Sequence, residues 1–411
     1  MNKVSTVVEN TGNKKRKVYQ SSLNHCSNIL PPIIAGLISV IVNYGGTFIL
    51  IFQAAQIAEL SAELTASWVW SISIGVGVTG ILLSWYTKQP IITAWSTPAA
   101  AFLITALATV PYAEAIGAYL LSALAFIILG ITGYFGNLIR LIPVSIASGL
   151  LAGILLQFGI SAFSNMTIDP VLAISMFFVY LFAKRFSARY AIVSVLIFGF
   201  IFLLLQSQID FSGVELILAS PIFTEPAFSA NATLSVALPL FLITLTGQYM
   251  PGLLILQNDG FKTSAKPIFA ITGLGSFLMA AFGSHAFNLA AITAAICTGK
   301  ESHEDPSKRW IAGVAAGFFY ILVGIFGVTL ATLFATFPVA FISTLAGLAL
   351  LSTIAGSLAN AMSDSHTREA ALITFLATAA NITLFGIGGA FWGLVLGLIS
   401  YFILNGKFKI K

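Results

Sequence analysis

The residues with the most chemistry to offer are small and uncharged. Ser96, Thr97 and Pro98 stand in Thr93-Ala-Trp-Ser-Thr-Pro-Ala-Ala100, within the longer stretch Pro90–Ala101. A β-prone run ends there and a Ser/Thr cap followed by proline predicts a helix start in the middle of an apolar segment. Such a start points unpaired backbone N–H groups outward as an anion site. In lipid, irregular backbone of this kind survives only where protein or a water-filled cavity covers it. The competing reading is a proline-kinked helix whose hydroxyls bond back to the preceding turn. A second stretch, His285-Ala-Phe-Asn-Leu-Ala-Ala-Ile-Thr293, echoes the first: Asn288 follows a short β-prone run and is expected to cap an Ala-rich helix opening with Leu289 and Ala290. An interhelical hydrogen bond is the alternative for Asn288.

Two polar groups lie deep in other apolar runs. Tyr44 sits in Asn43-Tyr44-Gly45-Gly46 and Gln248 in Gly247-Gln248-Tyr249-Met250-Pro251-Gly252. Each is satisfied either by a neighbouring helix or, facing the two helix starts, by a ligand. In the second case the ring and the amide form the stacking wall and orienting donor of a small aromatic-acid pocket. His285 is the histidine placed near the membrane interior and is a proton-coupling candidate, a neutral hydrogen-bonded imidazole being the alternative. Asp259, closing Gln257-Asn258-Asp259-Gly260, is a gating or proton-exit candidate, or else a solvated acid beside Lys262.

No enzyme constellation accompanies these residues. There is no paired intramembrane carboxylate, HExxH, GxSxG, phosphate loop or metal-ligand cluster, so neither catalysis, cofactor nor metal is expected. The acids of Glu301-Ser-His-Glu-Asp305, among Lys300, Lys308 and Arg309, read as a solvated loop. Cys26 and Cys297 form no disulfide framework.

The elements that must position these residues follow from composition. The 411 residues are 58% hydrophobic and 8% charged, against about 25% charged in a soluble domain. This is the composition of a polytopic membrane protein whose partner is the lipid bilayer. The net charge of +5 resides at span ends, which excludes nucleic acid as a partner. Apolar runs give about 14 spans, those at 91–109 and 285–298 being the least like simple helices. With the Lys14–Lys17 run on the cytoplasmic side, alternation places Lys88, Arg140, Lys184, Arg185, Arg189, Lys262, Lys266, Lys300, Lys308, Arg309, Arg368 and the C-terminal lysines on that side. Glu59, Glu63, Glu114, Asp169, Asp210, Glu215 and Glu225 face the other. Positive-inside placement therefore predicts an even count with both termini cytoplasmic. The connection Ser207–Asn231 divides the chain into two sets of about seven spans. Because seven is odd, the second set enters from the opposite side, the condition for an inverted repeat.

Ile92-Thr-Ala-Trp-Ser-Thr-Pro-Ala-Ala100, Gln248-Tyr-Met-Pro-Gly252 and Gly283-Ser-His-Ala-Phe-Asn-Leu-Ala-Ala-Ile-Thr-Ala-Ala-Ile-Cys297 resemble the benzoate/proton symporter (BenE) family over nearly all of residues 29–405. That family is similar in fold to uracil permease and the sulfate transporters. The resemblance implies an all-α polytopic fold of two inverted seven-span repeats, with short strands in the broken third and tenth spans. It implies a cytoplasmic tail (1–28), core spans 1–4 (29–134), gate spans 5–7 (135–206), an extracellular or periplasmic loop (207–232), core spans 8–11 (233–335), gate spans 12–14 (336–405) and a cytoplasmic tail (406–411).

Carried over, it puts Ser96, Thr97, Pro98 and Ala99 on one side of a substrate, Asn288, Leu289 and Ala290 on the other, and Tyr44, Gln248 and Tyr249 around it. Tyr249 departs from the pattern, since an amide residue commonly follows the glutamine. The acids of related nucleobase carriers have no counterpart here. The implied activity is proton-coupled import of benzoate or a similar aromatic carboxylate across a bacterial inner (plasma) membrane by alternating access, with a homodimer through the gate domains. An uncoupled anion channel or facilitator, and a carrier for a nucleobase or inorganic anion, are the alternatives.

Overall fold

The computed structural model describes residues 29–44, 47–135, 143–186, 191–209, 215–290, 293–300, 302–382, 384 and 389–405. The tails with Lys14–Lys17 and Cys26, together with Gly45, Gly46, Arg140, Arg189, Asp210 and Glu301, lie outside these residues.

The first half runs through α1 (29–44), α2 (Ile49–Ile57), α3 (Ala62–Thr87), β1 (Thr93–Trp95), α4 (Thr97–Ala106), α5 (Tyr112–Thr132), α6 (Val144–Ile168), α7 (Pro170–Phe186) and α8 (Ala191–Leu205). The second comprises α9 (Ala230–Gln257), α10 (Ala265–Ala280), β2 (Phe287–Leu289), α11 (Ala294–Thr298), α12 (Trp310–Ile325), α13 (Gly327–Ala335), α14 (Val339–Met362), α15 (Arg368–Ala379) and α16 (Gly389–Asn405). Among the described residues, 7 helices are long and apolar enough to cross a bilayer, and shorter apolar helices such as α4, α8, α10 and α16 lie beside them. Large apolar side chains remain exposed on the outer faces, Leu205 at 82% and Ile131 at 71% among them. A water-soluble protein would bury such residues; acyl chains solvate them.

Packing is reciprocal between the halves. Helix α3 precedes the first broken segment and α5 follows it; α10 and α12 flank the second in the same way. Contacts join α3 to α12 and α5 to α10, so each preceding helix packs on the other half's following helix. This is the pattern of two units exchanged by a two-fold axis in the membrane plane. Small residues permit the approach: a Cβ on Gly77 would lie 2.6 Å from the Gly317 carbonyl oxygen, and one on Gly317 2.5 Å from that of Gly77. A second group forms where α6 packs on α14 and α15, and α15 on α16.

Residues 215–229 carry no helix or strand and run across one end of the first group. Their backbone groups are met by other elements: Ala219 N donates to Ile325 O (2.9 Å), Thr224 N to Ala281 O (2.8 Å) and Ala227 N to Ala113 O (2.9 Å). Ile222 N donates to Ser67 Oγ at 2.8 Å. At the end of this strap Ser229 caps α9 by accepting from Ala232 N (3.0 Å) and donates its hydroxyl to the Glu114 carboxylate.

Candidate functional site

The two broken segments meet. Ile91, Ile92, Thr93 and Trp95 have the β-branched or aromatic side chains that favour extended backbone, as does Phe287. They pair antiparallel, with Thr93 opposite Leu289, Ala94 opposite Asn288 and Trp95 opposite Phe287. Ser96 N donates to Ala286 O (3.1 Å) and Ala290 N to Ile92 O (2.8 Å). Burial makes the pairing obligatory, since an unpaired peptide group inside a membrane protein costs several kcal/mol. The chain then turns into α4 at Ser96, whose Oγ accepts from Ala99 N at 3.3 Å and whose carbonyl accepts from Ala100 N at 2.8 Å. Ser96 is thus the cap, Thr97 the first helical residue and Pro98 the second. Pro98 has no N–H, so the Thr97 N–H is the amide of this first turn without a partner among the described residues.

The second helix start differs from the expectation. Asn288 does not cap a helix: it is the middle residue of β2, and α11 begins at Ala294 behind Thr293. The peptide ladder holds the chain extended through Leu289 and Ala290, so the Ala290 N–H expected for a ligand is spent on Ile92. The Asn288 amide, oriented so that each atom meets a complementary group, donates to Leu289 O (2.9 Å) and accepts from Ser96 N (3.0 Å). Both Ser96 and Asn288 are fully buried, and together they lock the crossing.

A cavity of about 310 Å³ opens beside this crossing, between α4 and α9 on one side and α6 and α14 on the other. Thr97, Pro98 and Gln248 line it. Gln248 lies in a π-helical turn, Leu245–Tyr249, just before Pro251. Such a turn accommodates the N–H that Pro251 lacks and re-aims the side chains around it. Close approach of α9 to β2 depends on Gly252, where a Cβ would lie 2.8 Å from the Leu289 Cγ and 2.9 Å from the Ala290 carbonyl oxygen. The opposite wall supplies Ser148 from α6 and Thr353, Ser357 and Asn360 from α14. Among the described residues, none of those lining the cavity carries a charge. Sequence reasoning missed this wall, although polar side chains in otherwise apolar helices, as in Ser357-Leu-Ala-Asn360, were its visible signal.

Other expected residues sit away from the cavity. Tyr44 bonds Ser73 Oγ through its hydroxyl (2.6 Å) and packs in an aromatic cluster, 4.4 Å from Phe48 and 5.0 Å from Trp95 between ring centroids. Tyr249 is fully buried with its hydroxyl 2.5 Å from Thr272 Oγ1 and its ring 4.3 Å from Phe269. Ala99 is buried in α4. His285 is buried near the strap, and its Nδ1 accepts from the Trp68 indole N–H at 3.3 Å. Asp259 is exposed at the end of α9, where its carboxylate accepts from the Thr298 hydroxyl. Around it Arg309 is buried and donates to the carbonyls of His303 (2.7 Å), Thr298 (2.7 Å) and Glu304 (3.3 Å).

What this arrangement can do is receive a small, partly apolar molecule at an uncharged site whose polar groups are an amide, hydroxyls and one helix N-terminus. Comparison with known proteins agrees with a transport architecture. The family model described as benzoate membrane transport protein matches residues 27–403. A protein of Acinetobacter baylyi named benzoate membrane transport protein is 44% identical over 375 residues, covering 91% of this chain and 95% of that protein. Inner membrane protein YdcO of Escherichia coli is 40% identical over 375 residues, covering 91% and 96%. Among solved structures, SLC26A9 superposes with a TM-score of 0.63 at 12% identity, over 97% of this chain and 69% of that one. The transmembrane domain of the cyanobacterial bicarbonate transporter BicA does so with 0.58 at 15%, over 92% and 97%. The match across nearly the whole chain and the two curated relatives establish that this protein is a membrane transporter of the BenE family.

Proposed function

We propose that the protein imports benzoate or a similar aromatic carboxylate together with a proton, and that the cavity at Thr97 and Gln248 is its substrate site. The observation that carries this reading is the lining of that cavity: one unpartnered N–H at the start of α4, an amide, hydroxyls, and apolar walls from Pro98, Leu151 and Met250. The carboxylate meets the positive end of α4, worth roughly half a charge, and the ring meets the apolar wall. A volume of about 310 Å³ lies at the small end of the range of about 300–1,000 Å³ for ligand pockets and suits a one-ring molecule. The names of the relatives, one a benzoate transport protein and one an inner membrane protein, point the same way.

In this reading Thr97, Pro98 and Gln248 touch the substrate, while Ser96, Asn288, Leu289 and Ala290 hold the crossing that presents them. Tyr44, Ala99 and Tyr249 shape its surroundings. Core (29–134 and 233–335) and gate (135–206 and 336–405) units of a fourteen-span inverted repeat move against each other around the cavity, giving alternating access. Both termini are cytoplasmic, and two copies pair through their gate units. Within the chain, His285 and Asp259 are the candidates for proton exchange. Protonating His285 at Nδ1 requires release of Trp68.

Uptake of labelled benzoate into proteoliposomes tests the reading. Saturable uptake, stimulated by an acidic exterior and collapsed by an uncoupler, is expected. Uptake indifferent to both removes the proton, and large single-channel currents without counterflow favour an anion channel instead.

A further inference from the structure

A second cavity of about 260 Å³ lies at the other end of α4, towards the strap. It too is bounded by α4, α6 and α9, with α15 and α16 closing it. Leu151 on α6 belongs to the lining of the first cavity and Ile154, one turn on, to that of the second. The two spaces therefore follow one seam and are separated by about a turn of α6.

Their hydrogen-bonding characters are opposed. In the second cavity the hydroxyls of Thr105, Thr109 and Ser235 already donate to the carbonyls of Phe102 (2.9 Å), Ala106 (3.3 Å) and Asn231 (2.6 Å). The Gln157 side-chain N–H is taken by Ala379 O (3.3 Å). The three hydroxyls therefore offer a ligand lone pairs, and Gln157 offers its amide oxygen and its second N–H. The carbonyl end of α4 adds to the same negative potential. Thr378, 4% exposed with no hydroxyl partner among the described residues, and the amide of Asn381 supply donors on the α15 side. None of the described residues lining this cavity is charged. The site suits an uncharged group that donates one hydrogen bond and accepts another; the facing lone pairs and the carbonyl end of α4 favour it over a carboxylate.

We propose that the Thr105 cavity is a second binding site that takes the undissociated form of the aromatic carboxylic acid, while the Thr97 cavity takes the carboxylate. The inference rests on the transport reading above. The acid O–H donates to the lone pairs of Thr105, Thr109, Ser235 or Gln157, and its C=O accepts from Thr378 or Asn381. On passing Leu151 the O–H bond breaks, the electron pair stays on the carboxylate at Thr97, and the proton leaves to water. The proton thus enters on the substrate. A carboxyl of ordinary pKa near 4.3 is about one part in 500 undissociated at pH 7, so each unit of acidification raises the apparent affinity of this site about tenfold.

Calorimetry on the full chain in nanodiscs tests this with benzamide, which presents the same donor and acceptor and cannot ionise. Benzamide is expected to bind with unchanged affinity in saturating benzoate at pH 7. Ala108→Trp, which fills the cavity from an exposed position, is expected to abolish benzamide binding and spare benzoate binding; Thr105→Val is expected to weaken benzamide at least fivefold. Benzamide that fails to bind, or that binds only in competition with benzoate, overturns the proposal. So does benzamide binding that survives both variants. If benzoate itself does not bind, the transport reading fails, and the benzamide arms still decide the character of the Thr105 cavity.

Discussion

Thr244 donates its hydroxyl to the Ser96 Oγ at 3.0 Å, joining residues 148 positions apart. The same Oγ caps α4, so one atom ties the cavity-forming helix of the second half to the broken segment of the first. Removing it strands two buried donors.

Ser96→Ala is therefore expected to lower stability by ~1–2 kcal/mol, read as a drop in the thermal midpoint in detergent. Substrate affinity falls with it because the Thr97 N–H loses its fixed direction. Thr244→Val, which removes one partner and leaves the cap, is expected to cost less than half as much.

Gln248→Leu tests the cavity more directly. Gln248 is 6% exposed and lines the Thr97 cavity, and its amide makes no hydrogen bond to another described residue. Benzoate binding is expected to weaken about tenfold, the loss of one good polar contact of ~1.4 kcal/mol, with the thermal midpoint unchanged. A normal binding isotherm places the carboxylate elsewhere.

His285→Gln separates two carriers of the proton. The Trp68 N–H keeps an acceptor in the variant through the amide oxygen, so folding is preserved. With the proton entering on the substrate, stimulation of uptake by external acid is expected to persist. Its loss, with benzoate binding intact, assigns coupling to His285.

Gly317→Leu reads the reciprocal packing. A side chain there meets the Gly77 carbonyl and Ile81, and α3 and α12 must separate. Overpacking of this kind costs ~1–3 kcal/mol or more, and loss of folded yield is expected by size exclusion. Gly356→Ala, with open space around it, serves as control; its yield is expected to stay normal.

Arg309→Lys tests the end of α11. The guanidinium serves three carbonyls at once, which an ammonium on a shorter reach cannot do. A loss of ~1–3 kcal/mol is expected from carbonyls left without donors, measured by thermal unfolding.

Much of this architecture was legible because lipid punishes exceptions. A Ser-Thr-Pro sequence inside an apolar run has few explanations, and its echo around Asn288 pointed to the partner segment. The helix start at Asn288 was misread because asparagine is equally at home as a cap and as a ladder residue. Which role it takes is decided by Ala94, nearly 200 positions away. Tyr44 and Tyr249 illustrate the same limit: a hydroxyl deep in the membrane needs a partner, but sequence does not say whether Ser73, Thr272 or a ligand provides it. Ser148, Ser357 and Asn360 escaped notice because single polar residues on long helices acquire meaning only from the face they share.

The strand ladder also constrains motion. Backbone bonds fuse Ile92–Ser96 to Ala286–Ala290, and a reciprocal pair of helix contacts clamps each end of the fused piece. Neither broken segment can swing without dragging the other, so the part of the protein bearing Thr97 and Gln248 behaves as a single carriage. In the alternating-access reading proposed above, Ser148, Thr353, Ser357 and Asn360 belong to the track, and a cargo that leaves them stays docked to the carriage.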